Sequence, residues 1–401
     1  MLFSWQVSFF IVILSLITII NSSYAYGITN ETRIEVNAPF SIAINPNTNI
    51  VYVAHPDGTF HQGIISVING STNNSVKDIQ TNLPQSRIVI NPVTNMVYFG
   101  YTNFNDYIAV INGSTNMIVG NIQISQQAPQ LTINPATNKL YVTDYYDGAS
   151  VIDVIDGFTN NVIDKIKISS RLYVSTIEVN PITNKLYVNA YPENQTGLIY
   201  EIDASTDKIV NRILVPHVTI GGLSVDPTRN FLYVADFGPQ PFCEICNQCT
   251  NGFVHIIDLA TNRLIANSTV TSPSSFSSNP NTGNVFISSS PYCRTVTVIE
   301  GNSGKVLYTI SNSTWAAVNP KSNKVYLSHY FNNNISVISD LKPESEPISP
   351  PLKQFKSGIS ANNIICKEGL QLIIKATNGS PACVKSETSK ILVERGWAKS
   401  I

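Results

Sequence analysis

One short pattern recurs seven times in this chain and restricts its fold more than any other feature. The copies are INPNTNIVYV from Ile44, INPVTNMVYF from Ile90, INPATNKLYV from Ile133, VNPITNKLYV from Val179, VDPTRNFLYV from Val225, SNPNTGNVFI from Ser278 and VNPKSNKVYL from Val318. Their prolines, Pro46, Pro92, Pro135, Pro181, Pro227, Pro280 and Pro320, are spaced by 46, 43, 46, 46, 53 and 40 residues. A period of that length suits a four-stranded propeller blade, and no helix-length amphipathic segment lies between copies to support a helical repeat. The repeats therefore predict an all-β, seven-bladed β-propeller.

The third copy shows how one unit is built. Gln130 to Asn134 reads as a short inner strand, and Asn134-Pro135-Ala136-Thr137-Asn138 as a tight turn. There proline presets φ at the first central position and asparagine accepts a positive φ at the exit. KLYVTD is the second strand, SVIDVID the third, GFTNN a second tight turn and VIDKIKI the fourth strand. Neighbouring positions in strands two and three are both apolar, as expected of a sheet covered on both faces. The seventh unit lacks a fourth strand before the segment LKPESEPISPPLKQF, whereas Thr32 to Phe40 has the pattern of a fourth strand followed by an inner one. An N-terminal strand is thus expected to close the ring, which removes an open sheet edge.

Composition agrees. Hydrophobic residues make up 43% of 401 positions and charged residues 13%, the polar load falling on Asn, Ser and Thr. These favour turns and edges over helices. The net charge of -1 and the absence of a basic stripe before residue 340 exclude a nucleic-acid backbone as partner.

Asn-Pro-x-Thr-Asn-x-(Val/Leu)-Tyr-Val, with Tyr52, Tyr98, Tyr141, Tyr187, Tyr233 and Tyr326 in register and Phe286 at the seventh place, resembles the YVTN-repeat propellers of archaeal surface-layer proteins. The resemblance spans residues 31 to 340 and implies a surface location; propellers also carry lactonases, lyases and quinoprotein dehydrogenases, so it selects no activity. A second resemblance lies in Cys366-Lys367-Glu368-Gly369-Leu370, Pro381-Ala382-Cys383-Val384-Lys385 and Arg395-Gly396-Trp397, similar to a short C-terminal module of secreted proteins from ammonia-oxidising archaea.

The domain plan is then residues 1–25 as signal peptide, 26–341 as propeller, 342–357 as linker and 358–401 as a small α+β, disulfide-linked module. The first segment is an apolar run ending in Ser23-Tyr24-Ala25, the small residues a signal peptidase needs, although no Lys or Arg precedes it. The alternative is a short retained anchor, the one route to a membrane. In the last segment a hairpin turned at Asn378-Gly379 is expected, with Cys366 and Cys383 joined across its arms, then a helix from Glu387 to Arg395 stopped by Gly396. From Lys342 onward nine basic and five acidic residues give +4, leaving -5 for the rest, so the tail could dock on an anionic surface or be a plain appendage.

Export also governs the cysteines. Cys243, Cys246 and Cys249 fall in the loop between strands two and three of the fifth blade and Cys293 in the equivalent loop of the sixth. Thiolates at two-residue spacing could hold zinc or an iron-sulfur cluster. In an oxidising compartment two disulfides are expected instead, one tying blade five to blade six, with three pairings open. Sequons at Asn30, Asn73, Asn194, Asn267, Asn312, Asn334 and Asn378 are glycosylation candidates, whereas Asn69-Gly-Ser and Asn112-Gly-Ser read as hairpin turn chemistry.

Both repeat turns are short and uniform, while the loops of the opposite face vary in length and carry aromatics. That face is the candidate binding surface: His55, Tyr101, Asp144, Tyr145, Tyr146, Tyr191, Asp236, Tyr292, His329 and Tyr330. His55 and His329 fall on adjacent blades once the ring closes, but no third ligand converges by register, so they read as solvated loop histidines. Glu178 is the one acid among the inner-strand positions Ala43, Val89, Thr132, Ser224, Ser277 and Ala317, too few carboxylates for a calcium-dependent hydrolase. No metal, cofactor or catalytic residue is assigned. The expected function is an extracellular cell-surface scaffold that binds an envelope protein or glycan without catalysis; the alternative is an extracellular propeller enzyme of lactonase, lyase or quinoprotein type acting on a small molecule or polysaccharide.

Overall fold

The computed structural model describes residues 28–58, 62–81, 87–100, 107–125, 130–169, 173–191, 197–215, 220–237, 249–340, 349–367 and 369–400. The signal-peptide segment lies outside them. Two compact units divide at Asp340 and Leu341.

The first unit is a propeller of seven four-stranded antiparallel sheets, the first six laid down in chain order. Blade 1, for example, runs Ser41–Asn45, Ile50–Pro56, Gly63–Asn69, Asn74–Thr81 from the inside outward. The last blade takes Trp315–Asn319, Lys324–His329 and Asn334–Asp340, and its outer strand is Ile28–Glu35 from the other end of the chain. This closing strand begins earlier than Thr32, and pairs Ile34 with Ile335 and Arg33 with Ser336. Ile34 and Val36 are buried with Ile42, Val51, Val53, Ile335 and Val337, so the strand fills the seam between blades 7 and 1 as well as an edge. Every seam is such an apolar layer, and the repeat aromatics Tyr52, Tyr98, Tyr141, Tyr187, Tyr233, Tyr326 and Phe286 are among the largest fully buried side chains.

The Asn-Pro turn fastens blade to blade because an amide is donor and acceptor at once. In all seven turns the first residue's side-chain oxygen accepts the N–H two residues on, at 2.9–3.1 Å. In six, the same side chain's Nδ2 donates to the exit asparagine of the next blade, at 2.6–3.3 Å: Asn45 to Asn95, Asn91 to Asn138, Asn134 to Asn184, Asn180 to Asn230, Asn279 to Asn323 and, across the closure, Asn319 to Asn49. The exit asparagines hold φ between 53° and 58°, a left-handed conformation that Asn tolerates. At the seventh link Asp226 has no N–H to give, and its would-be acceptor is Gly283. Arg229 fills the gap: Nη1 donates to Asp226 Oδ2 at 2.6 Å, while Nη2 lies 2.5 Å from where a Gly283 Cβ would stand. The two departures from the repeat compensate one another.

A similar exchange explains Phe286. Each repeat tyrosine points toward the turn between the third and fourth strands of the next blade. Tyr52 donates to Asn116 Oδ1 at 3.2 Å, Tyr98 to Asn160 Oδ1 at 2.8 Å and Tyr233 to the Gly301 carbonyl at 3.2 Å. The turn opposite is close: a Cβ on Gly70 would stand 2.9 Å from Tyr326 Oη and 2.6 Å from Asn49 Oδ1, although Ala204 and Leu259 fill the same place in blades 4 and 5. Blade 7 has no such turn, because its fourth strand arrives from the N-terminus, and Asp340 takes the place of Gly70, with its N–H on the exit carbonyl of Asn323 at 2.7 Å. With no hydroxyl on Phe286, the Asp340 carboxylate fits there and accepts from Asn279 at 2.8 Å, Thr282 at 2.6 Å and Asn284 at 2.8 Å. Phe286→Tyr is expected to cost about 1–3 kcal/mol by crowding that carboxylate, with Asp340→Gly in the same chain recovering part of the loss. Urea unfolding of the three variants measures the coupling; strictly additive effects would contradict it.

The second unit contains a three-stranded sheet in the order Pro381–Lys385, Leu370–Lys375, Ala398–Ser400, and a helix Ser386–Glu394 ended by Gly396 at φ 69°. The sequence showed the hairpin and the helix but not the third strand. The stretch taken as linker, 342–357, carries a helix Pro351–Lys356 whose Gln354 amide bonds both backbone groups of Ile365, at 2.8 and 3.0 Å. Cys366 and Cys383 lie at disulfide distance, Cα–Cα 5.6 Å.

Candidate functional site

Register across strands two, three and four places a polar group on each strand just beneath the loop face. In blade 1 these are His55, Ser66 and Asp78; in blade 3 Asp144, Asp153 and Lys165; in blade 5 Asp236, His255 and Asn267; in blade 7 His329, Ser336 and Arg33. His55 Nε2 is 2.9 Å from Ser66 Oγ, which donates to Asp78 at 2.7 Å. Lys165 donates to Asp153 at 2.6 Å and lies 3.7 Å from Asp144. His255 spans Asn267 at 2.7 Å and Asp236 at 3.2 Å. These rows tie three strands together where the backbone ladder is about to end.

They also relocate residues expected on the surface. His55 is 6% exposed, and burial holds its imidazole below the ordinary value against the opposing pull of the Pro56 carbonyl and Asp78. It is not a solvated loop histidine, because the second strand continues through Pro56 and the ring lies over strand three. Asp144 and Asp236 are likewise buried, the former accepting the N–H groups of Ser125 and Tyr145. His329 is half-buried, Nδ1 2.7 Å from the Asn312 carbonyl and Nε2 2.7 Å from Ser336 Oγ. His55 and His255 are thus committed to their own blades, and His329 bridges blade 7 to the end of blade 6. Among the described residues no three His, Cys, Asp or Glu side chains converge as a metal would need.

What the loop face presents outward is aromatic: Tyr145 is 52% exposed, Tyr146 56% and Tyr292 59%. Tyr330 is half-buried, edge-on to exposed Phe331, which carries the Arg294 guanidinium 3.6 Å from its ring centre. Tyr101 and the side chain of Tyr191 lie outside the described residues, as do Cys243, Cys246 and Asn194. Cys249 and Cys293 come to disulfide distance, Cα–Cα 5.4 Å, joining the loops of blades five and six. Of the sequons, Asn267 is engaged with His255, Asn378 accepts from Ser380 of its own sequon, and Asn73, at φ 59°, sits in a turn. Asn312 and Asn334 flank one groove, while Asn30 belongs to the closing strand. Asn69 and Asn112 each accept two turn N–H groups, the role read from their position.

Among the described residues the channel wall holds a charged constellation. Arg87 and Gln130 sit just before the inner strands of blades 2 and 3, and Glu178 lies on that of blade 4. Arg87 donates to Gln130 Oε1 at 2.7 Å and to Glu178 Oε1 at 3.1 Å, so one guanidinium bridges three blades. Glu178 was visible in the sequence as a lone inner acid; Arg87 was not, because it reaches Glu178 from two blades away. Burial pushes the Glu178 carboxyl up to about 7, with Arg87 pulling the other way. Folded-state affinity for the proton therefore exceeds that of the unfolded chain, and stability falls as pH rises from about 4.5 through 7. Glu178→Gln is expected to flatten that slope and to stabilise the protein at pH 8 by about 1–3 kcal/mol. Unfolding curves at pH 5 and 8 test this; a variant with unchanged pH dependence would contradict it.

Sheets, seams and faces together define a class: a seven-bladed β-propeller with one face sealed by its own turns and the other open. Hydrazine synthase of Kuenenia stuttgartiensis has a similar structure, with TM-score 0.62 and 15% identity over 78% of this chain and 98% of that chain. At that identity the likeness concerns the fold. No family model and no curated protein matches the sequence.

Proposed function

We propose that this is an exported, cell-surface propeller of the YVTN type, a non-catalytic scaffold that binds an envelope protein or glycan through its loop face. The observation that carries this reading is the asymmetry of the two faces. The side chains of the Asn-Pro turns are consumed in fastening blades, whereas exposed Tyr145, Tyr146 and Tyr292 stand on the other side, where rigid rings give contact area at low entropic cost. The two cysteine pairs suit an oxidising compartment. Among the described residues no helix is long and apolar enough to cross a membrane.

Tyr145→Ala with Tyr146→Ala is expected to weaken attachment to isolated envelope at least tenfold with an unchanged melting temperature, whereas Ile182→Ala, 71% exposed in a tight turn, leaves it intact. The reverse pattern would place the working surface on the wrong face. Lys185 is no neutral control, because its ammonium pairs with the carboxylate of Glu201, which is 2% exposed. The near-neutral carboxyl of Glu178 favours a second reading, an extracellular propeller enzyme using the channel as its site. Hydrolysis of a lactone or polysaccharide panel, lost in Glu178→Gln, would support it over the scaffold.

A further inference from the structure

A groove of about 360 Å³ opens between blades 6 and 7, near the lower end of the usual range for small-ligand pockets, about 300–1,000 Å³. Blade 6 contributes Ile310, Ser311 and Asn312, at the end of its short outer strand, Val306–Ser311. Arg33 reaches it from the closing strand, Asn312 from the end of the short strand, and Asn332 and Asn334 from blade 7. Leu327 and Ile338 supply an apolar wall. The groove is therefore assembled only when the N-terminal strand has docked.

We propose that this groove binds a sugar acid, one pyranose ring bearing a single carboxylate, as the terminal or exposed unit of an acidic glycan; the proposal deepens the scaffold reading and rests on it. Each half of such a ligand has a counterpart. The C–H face of a pyranose lies on the apolar wall, its hydroxyls meet amide side chains that both donate and accept, and its carboxylate meets a guanidinium suited to planar, two-pronged recognition. Positive charge is set at the site by Arg33. Glu35, opposite Asn334 on the closing strand, offsets part of it and disfavours a polyanion such as phosphate. The back wall is fixed, with His329 held between the Asn312 carbonyl and Ser336.

Calorimetry on the full chain, with mass spectrometry confirming bare Asn312 and Asn334, tests the assignment with glucuronate, glucose, acetate and inorganic phosphate as probes. Saturable glucuronate binding in the millimolar range or tighter is expected, about 4 kcal/mol or more, with each of the other three at least tenfold weaker. Arg33→Gln and Asn332→Ala should each weaken it at least fivefold in a chain that still folds, and Arg33→Lys should recover part of the loss. Glucose binding as well as glucuronate, or full glucuronate affinity in both Arg33→Gln and Asn332→Ala, overturns the proposal. Envelope attachment of the Tyr145/Tyr146 variant is measured separately, so a failure of the groove and a failure of the loop face are told apart.

Discussion

Removing residues 26–38 is expected to lower the stability of the propeller by about 4 kcal/mol or more and its melting temperature by roughly 5–15 °C. The strand contributes the buried Ile34 and Val36 to the seam between blades 7 and 1, each side chain of about 1.5–3 kcal/mol when fully removed from water. It also covers the outer edge of Asn334–Asp340, where ladder groups would otherwise be open to pairing with another chain. The link from Asn319 to Asn49 survives the deletion at 2.7 Å, so the inner ring is expected to stay closed while the outer seam loosens. Adding the missing strand back as a peptide should restore the thermal midpoint. A truncated protein that melts like the full chain would refute ring closure as the source of stability.

The second large effect lies in the tie between blades five and six. Joining Cys249 to Cys293 closes a loop with a sequence separation of 44, and the chain-entropy argument assigns such a cross-link about 2–4 kcal/mol. Replacing both by serine is expected to destabilise by that amount and to leave the apolar seams unchanged, since the pair sits in loops above them. Cys243 and Cys246 lie outside the described residues, and non-reducing peptide mapping should recover no free thiol from any of the six cysteines. Stoichiometric zinc or iron with free thiols would instead promote a metal site in that loop.

Ring closure could be read from the chain because a missing fourth strand at one end and a spare one at the other are both visible as pattern. Tyr145 and Tyr146 read as exposed loop aromatics and are exposed, although their strand, Lys139–Tyr146, runs through both. His55, Asp144 and Asp236 could not be read as buried: a polar residue near a strand end looks the same whether it faces solvent or the next strand's Ser66, Asp153 or His255. The groove of Arg33 and Asn332, whose residues come from opposite ends of the propeller sequence, has no local signature at all.

Seven near-identical turns with one period determine, without any coordinates, the number of blades, the strand order within each and the need for a borrowed strand, because each of these follows from local turn chemistry and repetition. Tertiary structure decided the rest, since it depends on what one blade sets against the next. Phe286 and Asp340 are a matched exception, as are Asp226, Arg229 and Gly283, and each looks like drift until its partner is seen across a seam. Ile118 and Ile163 are apolar yet 42% and 54% exposed, because blades diverge radially and the first half of an outer strand has no neighbour to cover it.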